Sequence, residues 1–305
     1  MLNYTKLQNK PRVFQSFTGL SLEEFLELLP AFTQSYDAFL NEQDSKREVS
    51  RIRAYGGGRK SFIDSIENKL LFILFYFKLY PIQEVLGFLF GMSQGQANIW
   101  IHTLTPILNE SLGYKKELPA RKTHDVEQIL AECPGLEFII DGTERPIQRP
   151  KDKDRQKQNY SGKKKRHTVK NNVITDKSTR KVKYLGDTHQ GKKHDKKMAD
   201  EDDPPFPPGS KLWKDSGFQG YDPDNTTTFQ PKKKPKGKEL NEAEKEKNRQ
   251  IAKERISVEH SIGGVKRFHI IRDIFRNHKD NFDDLVMETA CGLFNLTVQY
   301  RHLAA

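Results

Sequence analysis

Asp141, Asp215 and Glu259 are the residues whose types and settings most suggest chemistry. Asp141 closes the apolar run Leu136-Glu137-Phe138-Ile139-Ile140, and Asp215 closes Lys211-Leu212-Trp213-Lys214. Glu259 stands further on, in Arg-Ile-Ser-Val-Glu-His-Ser. A carboxylate that ends a buried strand is held rigidly and left open at its tip. Such groups suit a hard divalent cation, because Mg²⁺ prefers carboxylate and water oxygens. Two such ions about 3.5–4 Å apart serve the attacking and the leaving oxygen of an in-line displacement at phosphorus. With 41 acidic residues in the chain, any single one is by default surface decoration, so the constellation carries more than its members. Glu144 is a reserve acid near the first strand.

The charge around these acids fits the same chemistry. Arg255 lies four residues before Glu259 and Lys266 seven after, which is one face of a helix. Either the two cations steer phosphates beside a metal-holding carboxylate, or Arg255 and Glu259 form a plain helix ion pair, worth about 0.2–0.5 kcal/mol. Gly263 and Gly264 either end that helix or let a nucleic-acid backbone come close. The chain holds 52 Lys and Arg against 41 acids, a net charge of +11. Between Lys151 and Lys183 there are 13 Lys or Arg and 3 acids, including Lys163-Lys164-Lys165-Arg166. A second run spans Lys232 to Lys238 and could alternatively be a nuclear import signal. A charge run is also what a solvated loop looks like, but two runs flanking one candidate strand favour a track for a polyanion.

Other chemistries find less support. His189 and His194 sit in a Lys-rich loop with no Cys partner, and Cys133 and Cys291 lie in apolar contexts, so no zinc spacing appears. Tyr160 and Tyr184 lack the Arg-His company a tyrosine recombinase requires. No apolar run reaches the roughly 18–20 residues of a membrane span, and the first residues carry no secretory core. A soluble, intracellular, basic protein is expected.

The elements that must position the acids can be read from local signals. Residues 20–33 predict a short amphipathic helix capped by Ser21, and residues 43–60, with Gly56-Gly57-Gly58, a flexible connection. Ser65 to Lys78 is a strongly apolar helix, and Pro81 begins a second that runs to Phe90. Gly91-Met92-Ser93 makes a turn, and Ser93 caps a third helix from Gln94 to about Leu108. Three packed helices would satisfy this pattern. So would a helix-turn-helix, whose third helix would offer Gln94, Gln96 and Asn98 to base edges. From Leu136 the pattern turns to strands: 136–141, 168–175, 182–187 and 211–215. A charged helix at 241–258 and a last apolar helix from Phe282 to about Leu303 follow. Strands in that order, then a helix bearing an acid, predict an α/β fold: an RNase H-like domain (130–305) of mixed sheet flanked by helices. An all-α region (1–120) precedes it, with its helix-turn-helix at about 65–110.

With those residues in place, the chain resembles insertion-sequence transposases of the IS4/IS5-like group, which carry a DDE endonuclease domain. The likeness rests on Asp141 in Ile-Asp-Gly-Thr-Glu, Asp215 in Lys-Asp-Ser-Gly-Phe-Gln-Gly, and Glu259 with Arg255 and Lys266 at fixed spacing. It covers Phe138 to Leu296. Where the family favours Tyr this chain has Ala252. Asp187 to Asp195 resembles a His-Asp segment found between the first two acids, making His194 and Asp195 candidates to back the site or face DNA.

The resemblance implies an enzyme that binds terminal inverted repeats and cleaves and transfers DNA strands with two Mg²⁺ ions, Mn²⁺ being able to substitute. Asp141, Asp215 and Glu259 would be both catalytic and metal-binding. Gln94, Gln96, Asn98, Lys163, Lys164, Lys165, Arg166, Arg255 and Lys266 would contact DNA. The partners implied are double-stranded repeat and target DNA and further copies of the chain assembled on DNA, with no membrane. The location implied is the cytoplasm, at the nucleoid, or the nucleus in a eukaryote. A DNA-binding relic without cutting activity and a nuclease without strand transfer are the alternatives.

Overall fold

A computed structural model describes residues 1–46, 62–234 and 239–303. The Gly56-Gly57-Gly58 run and the end of the second basic run lie outside the described residues. The chain forms two compact units.

The first unit comprises Met1–Leu118, Arg267–Ile270 and Asn281–Tyr300 and is helical. Ser21 does cap a helix, in a capping box with Glu24, but that helix runs Leu22–Ser45, well past residue 33. It continues through Pro30 because that residue faces solvent, where water can satisfy the carbonyl that loses its partner. The apolar helix is Ile66–Leu79 with Ser65 as its cap, and every residue from Lys69 to Phe77 is buried. The next helix is Gln83–Phe90, starting two residues after Pro81, and it ends at left-handed Gly91. Ser93 and Gln96 form a second capping box for the helix Gln94–Tyr114, which outruns the expected end through an exposed Pro106.

By its contacts the terminal helix Phe282–Leu303 groups with this unit over most of its length, although the sequence reading placed it in the domain 130–305. Its contacts explain why. Asn109 Nδ2 donates to Glu288 and Thr289, Asn295 Nδ2 donates to the Glu117 carbonyl, and Gly292 leaves room for Leu112 and Leu118.

The second unit holds mainly Pro119–Lys266 and Ile271–Asp280. Its strands are β1 (Glu137–Pro146), β2 (Tyr160–Ser161), β3 (Arg166–Asp176), β4 (Val182–Leu185), β5 (His189–Gln190), β6 (Ser210–Lys214) and β7 (Thr226–Phe229). β3 runs antiparallel to β1 along its length, and its outer edge carries β2, β5 and β4 in turn. On the other side β6 is parallel to β1, and β7 is parallel to β6. Three antiparallel strands followed by two parallel ones, with helices on both faces, is the RNase H-like arrangement expected.

Period-two alternation divides the core. Phe138, Ile140 and Leu212 pack with Val126, Leu130 and Ala199 on one face. Ile139 and Trp213 pack with Ile251 and Val258 on the other. Those last two belong to the helix Glu242–Val265, capped by Asn241 and Glu244. This late helix is longer than expected and includes Gly263 and Gly264 in its final turn, so the glycine pair does not break it. The short helices Lys153–Asn159 and Asp195–Asp202, along with β2, β5 and β7, had no sequence signal strong enough to announce them.

Candidate active site

Parallel pairing of β1 with β6 ends at Ile140 opposite Lys214, so Asp141 and Asp215 are the next pair in register. Continuing the odd-numbered series of Ile139 and Trp213, both acids face the late helix. They leave their strands differently. β1 continues five residues past Asp141 to Pro146, so this acid stands within a strand and not at its end as the sequence suggested. The corrected position follows from β3, which keeps pairing with β1 after β6 has finished. Asp215 does follow β6 directly and caps a short turn, accepting a hydrogen bond from Ser216 N at 2.6 Å.

Arg255, from the late helix, reaches both acids: its guanidinium lies 3.7 Å from Asp141 Oδ2 and 3.6 Å from Asp215 Oδ1. Neither distance is a hydrogen bond, and buried Arg255 Nε has no hydrogen-bond partner. The guanidinium therefore balances charge without being tied down. Its side chain is only 11% exposed, so it sits among the acids.

Burial pushes the Asp141 carboxyl up to about 6. Arg255 and the Gly142 N–H pull it down, while Asp215 and Asp195 push it further up. Asp195 is thus the third carboxylate around Asp141. It begins the helix Asp195–Asp202, which His194 caps through its ring nitrogen, 3.3 Å from Lys196 N. A Cβ added to Gly142 would stand 3.1 Å from Asp195 Oδ1, and one on Gly217 would stand 3.0 Å from Oδ2. Gly142, next after Asp141, and Gly217, two after Asp215, therefore leave the space that Asp195 fills.

Lys170 holds Asp195 there. Its ammonium lies 3.2 Å from Asp195 and 3.5 Å from Glu144, its cross-strand partner, and donates to the Lys193 carbonyl. Lys170 escaped the sequence reading, although a lysine inside the strand Thr-Val-Lys-Asn-Asn-Val-Ile is itself a signal. Lys214 was missed as well. It is 1% exposed and fixes the segment after Asp215 through the Tyr221 carbonyl and Asp222, 2.6 Å away.

Glu259 occupies the turn after Arg255, about 40° round the helix at 3.6 residues per turn, and is exposed at the rim. Among the described residues no three His, Cys, Asp or Glu side chains gather closely enough to form a metal-binding group. Burial of Ile251 and Val258 sets the helix rotation, which brings Arg255 inward and leaves Glu259 outward. The donor set still suits a hard divalent ion. It is carboxylate oxygen only, its central acid resists ionising because it is buried, and the guanidinium between the two strand acids is loosely held.

Lys163, Lys164, Lys165 and Arg166 form the exposed tip of the β2–β3 hairpin. Lys266, at the end of the late helix, is half-buried. Burial depresses its ammonium pKa, Lys164 and Arg145 depress it further, and Asp141 and Glu144 oppose them. Ala252 is exposed. In the helical unit Gln94 donates to Gln83, Gln96 is occupied in its capping box, and Asn98 is half-buried. His189 is engaged by Asp202 and Lys193. Among the described residues no helix is long and apolar enough to cross a membrane.

Comparison with known proteins agrees with this geometry. A family described as DDE superfamily endonuclease matches residues 140–295, and one described as helix-turn-helix of DDE superfamily endonuclease matches residues 63–113. The chain is also 31% identical over 286 residues to the probable transposase for insertion sequence element IS702 of Microchaete diplosiphon, covering 93% of this chain and 94% of that one. No solved structure matches.

Proposed function

Because this chain belongs to the DDE superfamily of endonucleases, DNA-cleaving enzymes, we propose that it is the transposase of an insertion sequence, recognising the element's terminal inverted repeats, cutting there and joining the freed ends to target DNA. The observation that carries the reading is the pair of acids one register step past the last residues joining two parallel strands, with Arg255 between them. Asp141 and Asp215 would hold divalent cations, two Mg²⁺ or in their place Mn²⁺, with Glu259 completing the set from the late helix. When bound, such ions activate the attacking water or 3′-hydroxyl and stabilise the leaving oxygen.

The chain's own groups do the rest. Lys163, Lys164, Lys165 and Arg166 draw in the phosphate backbone, and Lys266 adds positive charge behind the acids. Lys170 keeps Asp195 beside Gly142 and Gly217, fixing the floor on which Asp141 stands. Arg255 balances the acids until the cations arrive and is then free to meet a phosphate. The helix-turn-helix reads the repeats, and joining two ends requires two or more copies on DNA. The work would take place at the nucleoid, or in the nucleus if the host is eukaryotic.

The test is incubation with Mg²⁺ and labelled DNA bearing the repeats that flank the gene, beside Asp215→Ala. Cleavage at the repeat ends, lost in the variant, is the expected result. Repeat binding with no cleavage by either protein would leave a DNA-binding relic, and cleavage indifferent to the repeats would leave a general nuclease.

A further inference from the structure

On the helix Gln94–Tyr114 two of the amides its sequence advertises are engaged within the fold, although Gln94 remains exposed and Gln96 half-buried. Gln96 is consumed by the capping box and Gln94 by Gln83. An aliphatic side chain with no partner given among the contacts of this helix also stands open: Ile99 is 64% exposed. Ala97, Ile101, Leu104 and Leu108 form the buried stripe of this helix, and Ile99 lies about 200° round from Ala97 at 3.6 residues per turn. One turn earlier on the same face is Gly95, where an added Cβ would find no atom within 4 Å. Asn98 flanks the pair. The outer face of the helix's first turns is therefore a glycine that lets a surface come close, one stiff branched hydrocarbon and one amide.

We propose that Ile99 is a specificity-determining residue that packs on the 5-methyl group of a thymine in the major groove. The inference rests on the repeat-binding role proposed above and deepens it. In a helix-turn-helix the early turns of the second helix are what enter the groove. Among major-groove base edges the thymine methyl is the one apolar group on offer. A β-branched side chain has little rotamer freedom to lose on contact, and Gly95 removes the bulk that would hold the helix away. A neighbouring adenine would suit the Asn98 amide. The competing occupant is a second copy of the chain, since Phe88 on the preceding helix is 84% exposed.

The test uses the full chain in EDTA, which blocks cutting, and a random-sequence duplex pool from which bound sites are selected. The selected site is resynthesised with each thymine replaced in turn by deoxyuridine, which removes only the methyl group. Wild type is expected to lose about fourfold in affinity at one or two thymines, the worth of one buried methyl. Ile99→Ala should bind the thymine and uracil versions alike, and Ile99→Val should keep most of the difference. Equal thymine dependence in wild type and Ile99→Ala, or none in either, overturns the role of Ile99 while leaving repeat recognition standing. An Ile99→Ala protein that sediments as a smaller species with unchanged thymine dependence assigns the residue to a contact between copies. Failure of the pool to yield any preferred site removes the helix-turn-helix reading, and the inference with it.

Discussion

The helical unit and the sheet unit are specified in opposite ways. In the helical unit local chemistry decides: Ser21, Ser65 and Ser93 each cap a helix, Gly91 ends one, and the apolar stretch Leu70–Phe77 is buried without a break. In the sheet unit the decisive groups are polar and buried, and their partners are distant in sequence. Lys170 meets Asp195, Arg255 meets Asp141 and Asp215, Asn172 donates to Asp202, and Arg145 donates to Asn171 and Thr188. One unit is built for stability and presents its outer surface. The other concentrates charged groups between its strands and helices, where burial raises the Asp141 carboxyl.

The largest effect expected is on chemistry. If Asp141 holds a metal ion as proposed, Asp141→Asn should lower repeat-end cleavage about a thousandfold or more, the worth of several kcal/mol of transition-state stabilisation. Filter binding to the uncut repeats should hardly change, which separates the two units by function. Full cleavage by this variant would remove Asp141 from the site.

The next effect is on stability, and the two tryptophans divide the work, Trp100 lying in the helical unit and Trp213 in the sheet unit. Lys170→Met leaves Glu144 and Asp195 without their shared cation, at a cost of about 3 kcal/mol. Urea unfolding followed by Trp213 fluorescence in a Trp100→Phe background should show the loss, and Trp100 in a Trp213→Phe background should not. A loss shared equally by both reporters would mean that the units do not unfold separately.

A smaller effect concerns pH without metal. The Asp141 carboxyl rises from 3.8 to about 6 on folding, so between those values the folded chain keeps a proton that the unfolded chain has released. Stability should therefore fall as pH climbs through that window and level off above it. Asp141→Asn should flatten that slope and raise the melting temperature at neutral pH in EDTA. Metal binding, which needs the ionised form, should weaken as pH drops through the same range. A slope of the opposite sign in thermal melts would contradict the burial of this group.

The smallest effect belongs to the helical unit. Ser93→Ala removes one capping partner and should cost about 1 kcal/mol, read by Trp100. A silent Trp100 would detach the cap from the unit's cooperativity.

The same contrast explains what was legible beforehand. Caps, glycine stops and apolar runs are local, so the helices of the helix-turn-helix and the starts marked by Ser65 and Ser93 could be read, while the end of the third helix, past Pro106 to Tyr114, could not. The order of the strands, and with it the RNase H-like sheet, followed from apolar runs of the right length. Asp141 and Asp215 were legible because an acid after such a run is conspicuous. The position of Arg255 was not, because helix rotation depends on how Ile251 and Val258 settle against Ile139 and Trp213. Asp195 and Lys170 were harder still: 25 residues apart, they meet through a helix too short to announce itself. The grouping of Phe282–Leu303 with the helices was equally hidden, since an apolar helix fits either unit by pattern alone.

β1 counts as well as it carries. Odd positions face the late helix and even positions face Asp195, so Asp141 meets the late helix only while an odd number of residues, here Ile140 alone, stands between it and Ile139. A single residue inserted or removed between Phe138 and Asp141 would exchange Asp141 with Gly142 across the sheet, delivering a hydrogen atom to the late helix and a second carboxylate to Asp195. Nothing that touches DNA would have changed identity. Drift in this chain is thus constrained by parity as strictly as by composition, and length changes there should be tolerated less than nearly any substitution of Phe138 or Ile140 by another apolar residue.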